Sequence, residues 1–290
     1  MASRRDTVRL ATAAVLLFGL PLVVAWALQP PRAAGPCVLA SGPFRLPDIQ
    51  EASGLAVSRR HPGVLWSHND SGNAAVLFAL NVSGAITGRV RVPVRTRDWE
   101  DISAARCGAN DCLYLADIGD NQAARLTIQI YRIPEPAPSD AETAPPEIFN
   151  ATYADGPHNA EAMFVVGDDL FIVTRDRIGG VYKASASRGR DLTFQRIGQL
   201  GLAAVTDAEA SRDGTTVVVR TSHEAVLYRT EMLTRGGNTP YLRIPIDGLR
   251  EAQGEGAALD GNVLYLVSEG RLNRGGSLLS LSCDLSRRQE

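Results

Sequence analysis

Short apolar runs, separated by polar and glycine-containing turns, fill the chain from Cys37 onward. In five places such a run follows an acidic residue and is rich in small side chains; the acids are Glu51, Glu100, Glu161, Asp207 and Glu255. Each of these runs is followed by a second that ends in polar residues, and then by a third. Runs of this length bounded by turns predict β-strands. We therefore expect an all-β protein.

A fourth run completes four of the five units, near Val90, Phe149, Phe194 and Leu242. The five acids are spaced by 49, 61, 46 and 48 residues, and the Pro134–Pro146 insertion and the loop before Cys112 account for the longest interval. This period is typical of a β-propeller. We predict five four-stranded blades; six blades with one degenerate unit, or a sandwich or barrel, are the alternatives.

The segment from Cys37 to Pro47 can supply the strand that the fifth unit lacks and so close the ring. This closure would place Cys37 beside Cys283, close enough for a disulfide. Cys107 and Cys112 lie in one turn-like stretch and would pair locally. Four free buried thiols are the alternative, but an even number of cysteines in an exported chain favours two disulfides.

The N-terminus has the pattern of an export signal. Three arginines precede an uncharged apolar run from Leu10 to Leu28, which Pro30 and Pro31 end. A cleaved signal peptide and a retained N-terminal membrane anchor both fit this apolar helix. We divide the chain into the export segment (1–28), a linker (29–36) and one propeller domain (37–290), and expect an extracytoplasmic location, either secreted or anchored.

The charge balance excludes one class of partner. The chain has 30 Lys and Arg against 32 Asp and Glu, a net charge of −2, and without residues 1–28 it keeps 27 basic and 31 acidic residues. A mildly acidic body does not suggest nucleic acid. We expect a monomer that contacts the membrane only through residues 1–28 and binds a small molecule or a cell-envelope component.

The recurring acids should meet on one face, because in a blade the loop before the innermost strand and the loop between the second and third strands share a face. Carboxylates there repel each other by about 3 kcal/mol per pair at about 6 Å in an effective dielectric near 20. A bound Ca²⁺ would neutralise them. Raised pKa values, or pairing with Arg175 and Arg220, are alternatives, and a further one is that the acids only cap inner-strand N–H groups. The candidate ligands are Ser53, Glu100, Glu161, Asp207 and Glu255.

The sequence contains none of the familiar hydrolase signatures, neither Gly-x-Ser-x-Gly, nor His-Glu-x-x-His, nor a phosphate-binding loop. The candidate acid or base groups are His158, Asp101 and Glu209. The loop from Asp117 to Asn121 is either a second cation site or a glycine turn with Asx hydrogen bonds.

Four short elements resemble a family of uncharacterised exported bacterial β-propellers: Trp-Glu-Asp at 99–101, Gly-Asp-Asn at 119–121, Asn-Ala-Glu-Ala at 159–162 and Gly-Glu-Gly at 254–256. The resemblance covers the exported body and implies its fold. More distantly, the chain is similar to calcium-activated nucleotidases (apyrases), in which Ser53, Glu100, Glu161 and Glu255 would correspond to ligands of a central Ca²⁺; Asp207 departs from that pattern. Its Glu51-Ala-Ser-Gly-Leu opening resembles SdiA-regulated and phytase-esterase-like propellers.

Two functions follow from this reading. One is a Ca²⁺-dependent hydrolase of phosphoesters or esters. The other is a non-enzymatic propeller that binds a ligand or envelope component, with a structural cation or none. A purely structural domain tethered at the membrane is the alternative to both.

Overall fold

The computed structural model describes residues 35–270 and 275–286. The predicted export segment at 1–28 and most of the predicted linker at 29–36 lie outside the described residues. Within those two ranges, no helix has the length and apolarity needed to cross a membrane.

The described chain is built almost entirely of strands, in five consecutive units. Helical structure is confined here to one turn of α-helix, α1 (Thr230–Leu233), and two 3₁₀ turns, Ala186–Arg188 and Asp247–Leu249. Unit 1 contains β2 (Ala52–Val57), β3 (Val64–Asn69), β4 (Val76–Asn81) and β5 (Ile86–Arg91). Unit 2 contains β6 (Trp99–Cys107), β7 (Asn110–Asp117), β8 (Ile128–Pro134) and β10 (Glu147–Tyr153). Unit 3 contains β11 (Ala160–Val166), β12 (Asp169–Thr174), β13 (Gly180–Ser185) and β14 (Asp191–Gln199). Unit 4 contains β15 (Val205–Ala210), β16 (Thr216–Thr221), β17 (Glu224–Arg229) and β18 (Leu242–Pro245). Unit 5 contains β19 (Gln253–Asp260), β20 (Val263–Glu269), β21 (Gly276–Cys283) and the N-terminal β1 (Cys37–Leu46). The all-β prediction is confirmed.

The first strands of the five units pack against one another in a ring. β2 contacts β6, β6 contacts β11, β11 contacts β15, β15 contacts β19, and β19 returns to β2. Within each unit, consecutive strands pair antiparallel outward from this ring. This arrangement makes the fold propeller-like.

Burial explains the composition of the strands. Every residue of β2 (Ala-Ser-Gly-Leu-Ala-Val) is buried, because an inner strand is covered on both faces and small side chains fit there. An outer strand such as β10 alternates exposed and buried residues from Ile148 to Tyr153, as expected when one face meets solvent.

The N-terminal strand closes the ring. β1 pairs antiparallel with β21, and Cys37 lies opposite Cys283 in this ladder. Their Cα atoms are 4.0 Å apart and the two residues form a disulfide. Cys107 and Cys112 form the second disulfide, across the β6–β7 turn. Both predicted pairings are confirmed.

Two contacts between outer strands were not expected. β10 pairs parallel with β14, from Asn150↔Asp191 to Tyr153↔Phe194, so units 2 and 3 share one eight-stranded sheet. The Pro-rich insertion contributes a short strand, β9 (Ala141–Glu142), which pairs parallel with β5. Both pairings cover edges that would otherwise offer free N–H and C=O groups to another chain. Neither leaves a local sequence signal, because the partners are distant in the chain.

The two disulfides should differ in what they contribute to stability. We expect Cys37→Ala with Cys283→Ala to lower the free energy of unfolding by about 5 kcal/mol, because this bond closes a loop that spans nearly the whole ring. The Cys107–Cys112 bond closes a short loop, so the matched pair Cys107→Ala with Cys112→Ala should lower the free energy of unfolding by about 2 kcal/mol. Urea unfolding without reductant measures both; equal losses would contradict the closing role of Cys37–Cys283.

Candidate functional site

A β-bulge recurs in all five inner strands. In each strand the pairing register skips one residue: Gly54 in β2, Glu100 in β6, Glu161 in β11, Thr206 in β15 and Glu255 in β19. A bulge bends its strand and re-aims a side chain, and bulges are common beside active sites. The repeat is therefore defined by these bulges rather than by the acids as such.

This register corrects the alignment read from the sequence. Glu100, Glu161 and Glu255 are equivalent, but Thr206 and not Asp207 is their counterpart in unit 4. Asp207 lies one residue beyond its bulge, and its true equivalent is Asp101. In unit 1 the bulged residue is Gly54, and Ser53 precedes it. The spacing of the acids hid this shift, because a one-residue offset is within the variation of the unit lengths.

Three carboxyl groups lie inside the ring, with at most 2% of each residue exposed: Asp101, Asp207 and Glu209. Asp101 accepts hydrogen bonds from the backbone N–H of Ile102 (2.7 Å) and Met163 (2.6 Å). Asp207 accepts one from the N–H of Ala257 at 2.6 Å, and its Oδ1 has no partner among the described residues. Both aspartates thus link their inner strand to that of the next unit.

Glu209 reaches across the ring to β6. Its carboxylate accepts the Ser103 hydroxyl at 2.5 Å and the Ala104 N–H at 2.9 Å. Burial raises the pKa of Glu209 well above its usual range, as it does for Asp101 and Asp207. The charge of Asp207 raises the pKa of Asp101 further, and repulsion between the two favours protonation of the pair. Asp101 and Glu209 have almost no solvent-accessible surface, so a ligand in solvent does not reach them.

Glu100 belongs to a group of three acids at the mouth of the ring. Asp70, in the turn after β3, and Asp98, just before β6, join it, and one carboxylate oxygen from each lies within 4.8 Å of the others. Glu100 is 7% exposed, and no described residue donates a hydrogen bond to its carboxylate. We call these three residues the mouth triad.

The electrostatics of the mouth triad disfavour three negative charges. Burial raises the pKa of Glu100 to about 9, and the charges of Asp70, Asp98 and Glu255 contribute to this rise. Burial also raises the pKa of Asp70, with smaller contributions from Asp98 and Glu51. Arg175 opposes both shifts but forms its ion pair with Glu161.

The loop from Asp117 to Asn121 positions the triad. Asp117 accepts the N–H groups of Arg97 (2.7 Å) and Asp98 (3.0 Å), and it pairs with the Arg125 guanidinium at 2.9 Å. A Cβ at Gly119 would collide with the carboxylates of Glu100 and Asp98, so only glycine fits there. Because its acids are occupied by N–H groups and Arg125, the loop acts as a structured turn.

The remaining bulged acids have partners of their own. Glu255 accepts a hydrogen bond from the Gln253 amide at 2.7 Å, and burial raises its pKa. Arg220, fully buried, pairs with Glu251 at 2.5 Å and donates to the Gly256 carbonyl at 2.6 Å. Ser53 donates its hydroxyl to the Glu100 carbonyl at 2.6 Å. Of the five predicted ligands, only Glu100 is in the triad.

Two histidines occupy different surroundings. His158 bonds through Nε2 to Asp155 (3.0 Å) and to the Tyr182 hydroxyl (2.8 Å), and its ring also meets the ring of Tyr153. None of these partners belongs to the mouth triad. His68 is buried and stacks on Trp99 with ring centroids 4.2 Å apart. Burial lowers the pKa of His68 to about 4, so the ring is neutral at neutral pH.

Asp98 is the residue that the sequence reading missed. A usable signal was present: Asp98 and Glu100 are two residues apart where a strand begins, and alternate residues of a strand point to the same side. Asp70 is one of the polar residues that end the second run of the first unit, on the same predicted face as the recurring acids.

No family model matches the chain, and no curated protein matches it. Among solved structures it is similar to a gluconolactonase of Xanthomonas campestris, at 13% identity and a TM-score of 0.45, covering 87% of this chain and 99% of that one. It is also similar to U3-55K (16%, 0.42, covering 80% of this chain and 67% of that one) and to a chain of the mitotic checkpoint complex (13%, 0.40, 79% and 62%). At such scores these likenesses say nothing about what the chain binds or converts.

The buried carboxyls make stability depend on pH. Their folded-state pKa values lie above the unfolded values of about 4, so the folded state binds more protons. Their contribution is present below about pH 4 and is lost as the pH rises through the folded-state values. We expect the melting temperature to fall from pH 5 to pH 8, and to fall less in Asp207→Asn. The exposed Asp191→Asn is the control; an identical pH profile for Asp207→Asn would contradict the assignment.

Proposed function

We propose that the five units are the blades of a five-bladed propeller and that the mouth triad binds a divalent cation, in the first instance Ca²⁺. The observation that carries the proposal is the nearly buried Glu100 carboxylate, which lacks a hydrogen-bond donor among the described residues while facing two further carboxylates. A carboxylate that is mostly removed from water and has no donor is poorly solvated, and a cation would neutralise it.

The oxygen ligands that the mouth triad offers are of the type that Ca²⁺ prefers. Ca²⁺ takes six to eight oxygen ligands in flexible geometry, and three carboxylates completed by water provide such a set. All the charged donors are hard oxygens, which disfavours a metal that prefers sulfur or imidazole. The two disulfides are consistent with an extracytoplasmic location, where sites that bind Ca²⁺ weakly are still filled.

A thermal melt of the wild-type protein in Ca²⁺ and in chelator tests the proposal. At a hundredfold excess over Kd, a cation that binds only the folded state adds about 2.7 kcal/mol of stability. We expect Glu100→Gln to lose this shift and Glu231→Gln, an exposed glutamate of α1, to keep it. The affinity should also rise with pH toward 9, because binding must displace the proton that burial favours on Glu100. Identical melts of the wild type in Ca²⁺ and chelator would refute the site.

Hydrolysis of an ester or phosphoester is the second candidate function. One observation favours it: Glu269, at the end of β20, is half-buried, and burial together with the charges of Glu255 and Asp70 raises its pKa to about 7. A carboxyl group that titrates near neutral pH suits general acid or base catalysis. A bound cation would supply polarisation of the attacked oxygen. Because Asp101 and Glu209 are enclosed in the ring, Glu269 is the better-placed group.

Turnover of p-nitrophenyl phosphate and p-nitrophenyl acetate distinguishes the enzyme from a binding module. An enzyme should lose activity in chelator and in Glu100→Gln, and its pH–rate profile should show a step near pH 7 that disappears in Glu269→Gln. If neither ester is turned over by a protein that binds Ca²⁺ in the melt, the cation serves a binding module instead.

A further inference from the structure

A cavity with a positive charge is formed by segments that begin three residues after Asp70 and end two residues before Asp98. It has a volume of about 680 Å³ and is lined by the chain from Asn73 to Ala75, by the segment from Arg91 to Thr96, and by Glu142 of β9. The segment from Arg89 to Arg97 carries four arginines in a protein whose net charge is −2.

The cavity itself has two guanidinium groups and one carboxylate. Arg91 and Arg95 line it and are exposed, whereas Arg89 pairs with Asp48 at 2.5 Å. The nearest acid to Arg91 is Glu142, at 4.0 Å, and both side chains are more than half exposed. An exposed pair at this distance contributes little. The cavity therefore keeps a net positive charge, and neither guanidinium group is held in a close ion pair by a described residue.

Backbone geometry adds donors to this charge. Val92 donates its N–H to the Ala75 carbonyl (2.9 Å), and Val94 donates to the Val92 carbonyl (2.8 Å) across Pro93. The N–H groups of Arg97 and Asp98 bind Asp117. Between these fixed points, the N–H groups of Arg95 and Thr96 and the Thr96 hydroxyl have no acceptor among the described residues.

We propose that this cavity binds the phosphoryl group of a small organic phosphate, with Arg91 and Arg95 as its charged ligands. A guanidinium group binds two phosphate oxygens at once through charge-assisted hydrogen bonds. Free backbone N–H groups favour the same anion. The cavity volume lies in the range of small-molecule sites and exceeds what a lone phosphate ion needs, which leaves room for the organic part.

The site does not depend on the cation. None of the described residues that line the cavity belongs to the mouth triad, so the phosphate ligands and the cation ligands are different residues. A Glu100→Gln protein without Ca²⁺ should bind the phosphate as well as the wild type does. The two proposals can therefore fail separately.

Calorimetric titration in chelator, at constant ionic strength, tests the proposal with glycerol 3-phosphate and with phosphatidylglycerol vesicles as probes. We expect Arg91→Gln and Arg95→Gln to weaken binding by about tenfold each, as for the loss of one charge-assisted contact. Glu142→Gln should strengthen it, because it removes the one acid of the cavity. Arg106→Gln is the matched control: Arg106 is similarly exposed and also lies 4.0 Å from a single acid, Asp111.

The outcomes separate the sources of the phosphate. Binding of glycerol 3-phosphate with this pattern of variants supports a free metabolite-like ester, and the same pattern with vesicles alone supports a lipid headgroup. Failure to bind either probe, or an equal loss in Arg106→Gln, would overturn the proposal.

Discussion

The structure depends on side chains that join inner strands which share no backbone ladder. Neighbouring units contact each other chiefly along their first strands, and there most of the linking hydrogen bonds run from a side chain to the backbone of another unit. Asp101 binds the Met163 N–H and Asp207 binds the Ala257 N–H, at equivalent positions two units apart. Glu209 spans the ring to Ala104, and Thr206 donates to the Glu255 carbonyl at 3.0 Å. These contacts hold the ring together at the cost of burying three carboxyl groups.

The bulge in β6 contributes to the candidate cation site. Glu100 and Asp101 are consecutive: the bulged Glu100 meets the other two acids of the mouth triad, and Asp101 is enclosed in the ring. The buried aspartate fixes the strand, and the bulged glutamate is left to meet Asp70 and Asp98. Asp117 and Gly119 complete the arrangement from the next loop by holding the backbone of Asp98 and leaving room for both carboxylates. A rigid frame thus presents a poorly neutralised group of acids.

The fold was largely predictable from the sequence, since alternation, turns and a repeating period act locally. The closing strand and both disulfides followed from the repeat and the positions of the cysteines. The site was only partly predictable. Whether an acid faces the mouth depends on a one-residue bulge, and the sequence does not distinguish Thr206 from Asp207 as the bulged position. The role of Asp117 as a positioning residue for Asp98, and the pairing of Arg175 with Glu161, depend on side-chain contacts made at the strand ends of a folded unit.

The parallel pairing of β10 with β14 couples the local unfolding of unit 2 to that of unit 3. The short strand β9 of unit 2 pairs with β5 of unit 1 at Ala141 and Glu142, whereas units 2 and 3 are hydrogen-bonded along their outer strands from Asn150 to Tyr153. Opening either unit from its periphery breaks backbone hydrogen bonds of the other. Local fluctuations of native proteins follow such cooperative segments and not the boundaries of repeats. Units 2 and 3 therefore behave as one foldon, and the mouth triad, which joins unit 1 to unit 2, lies at its border.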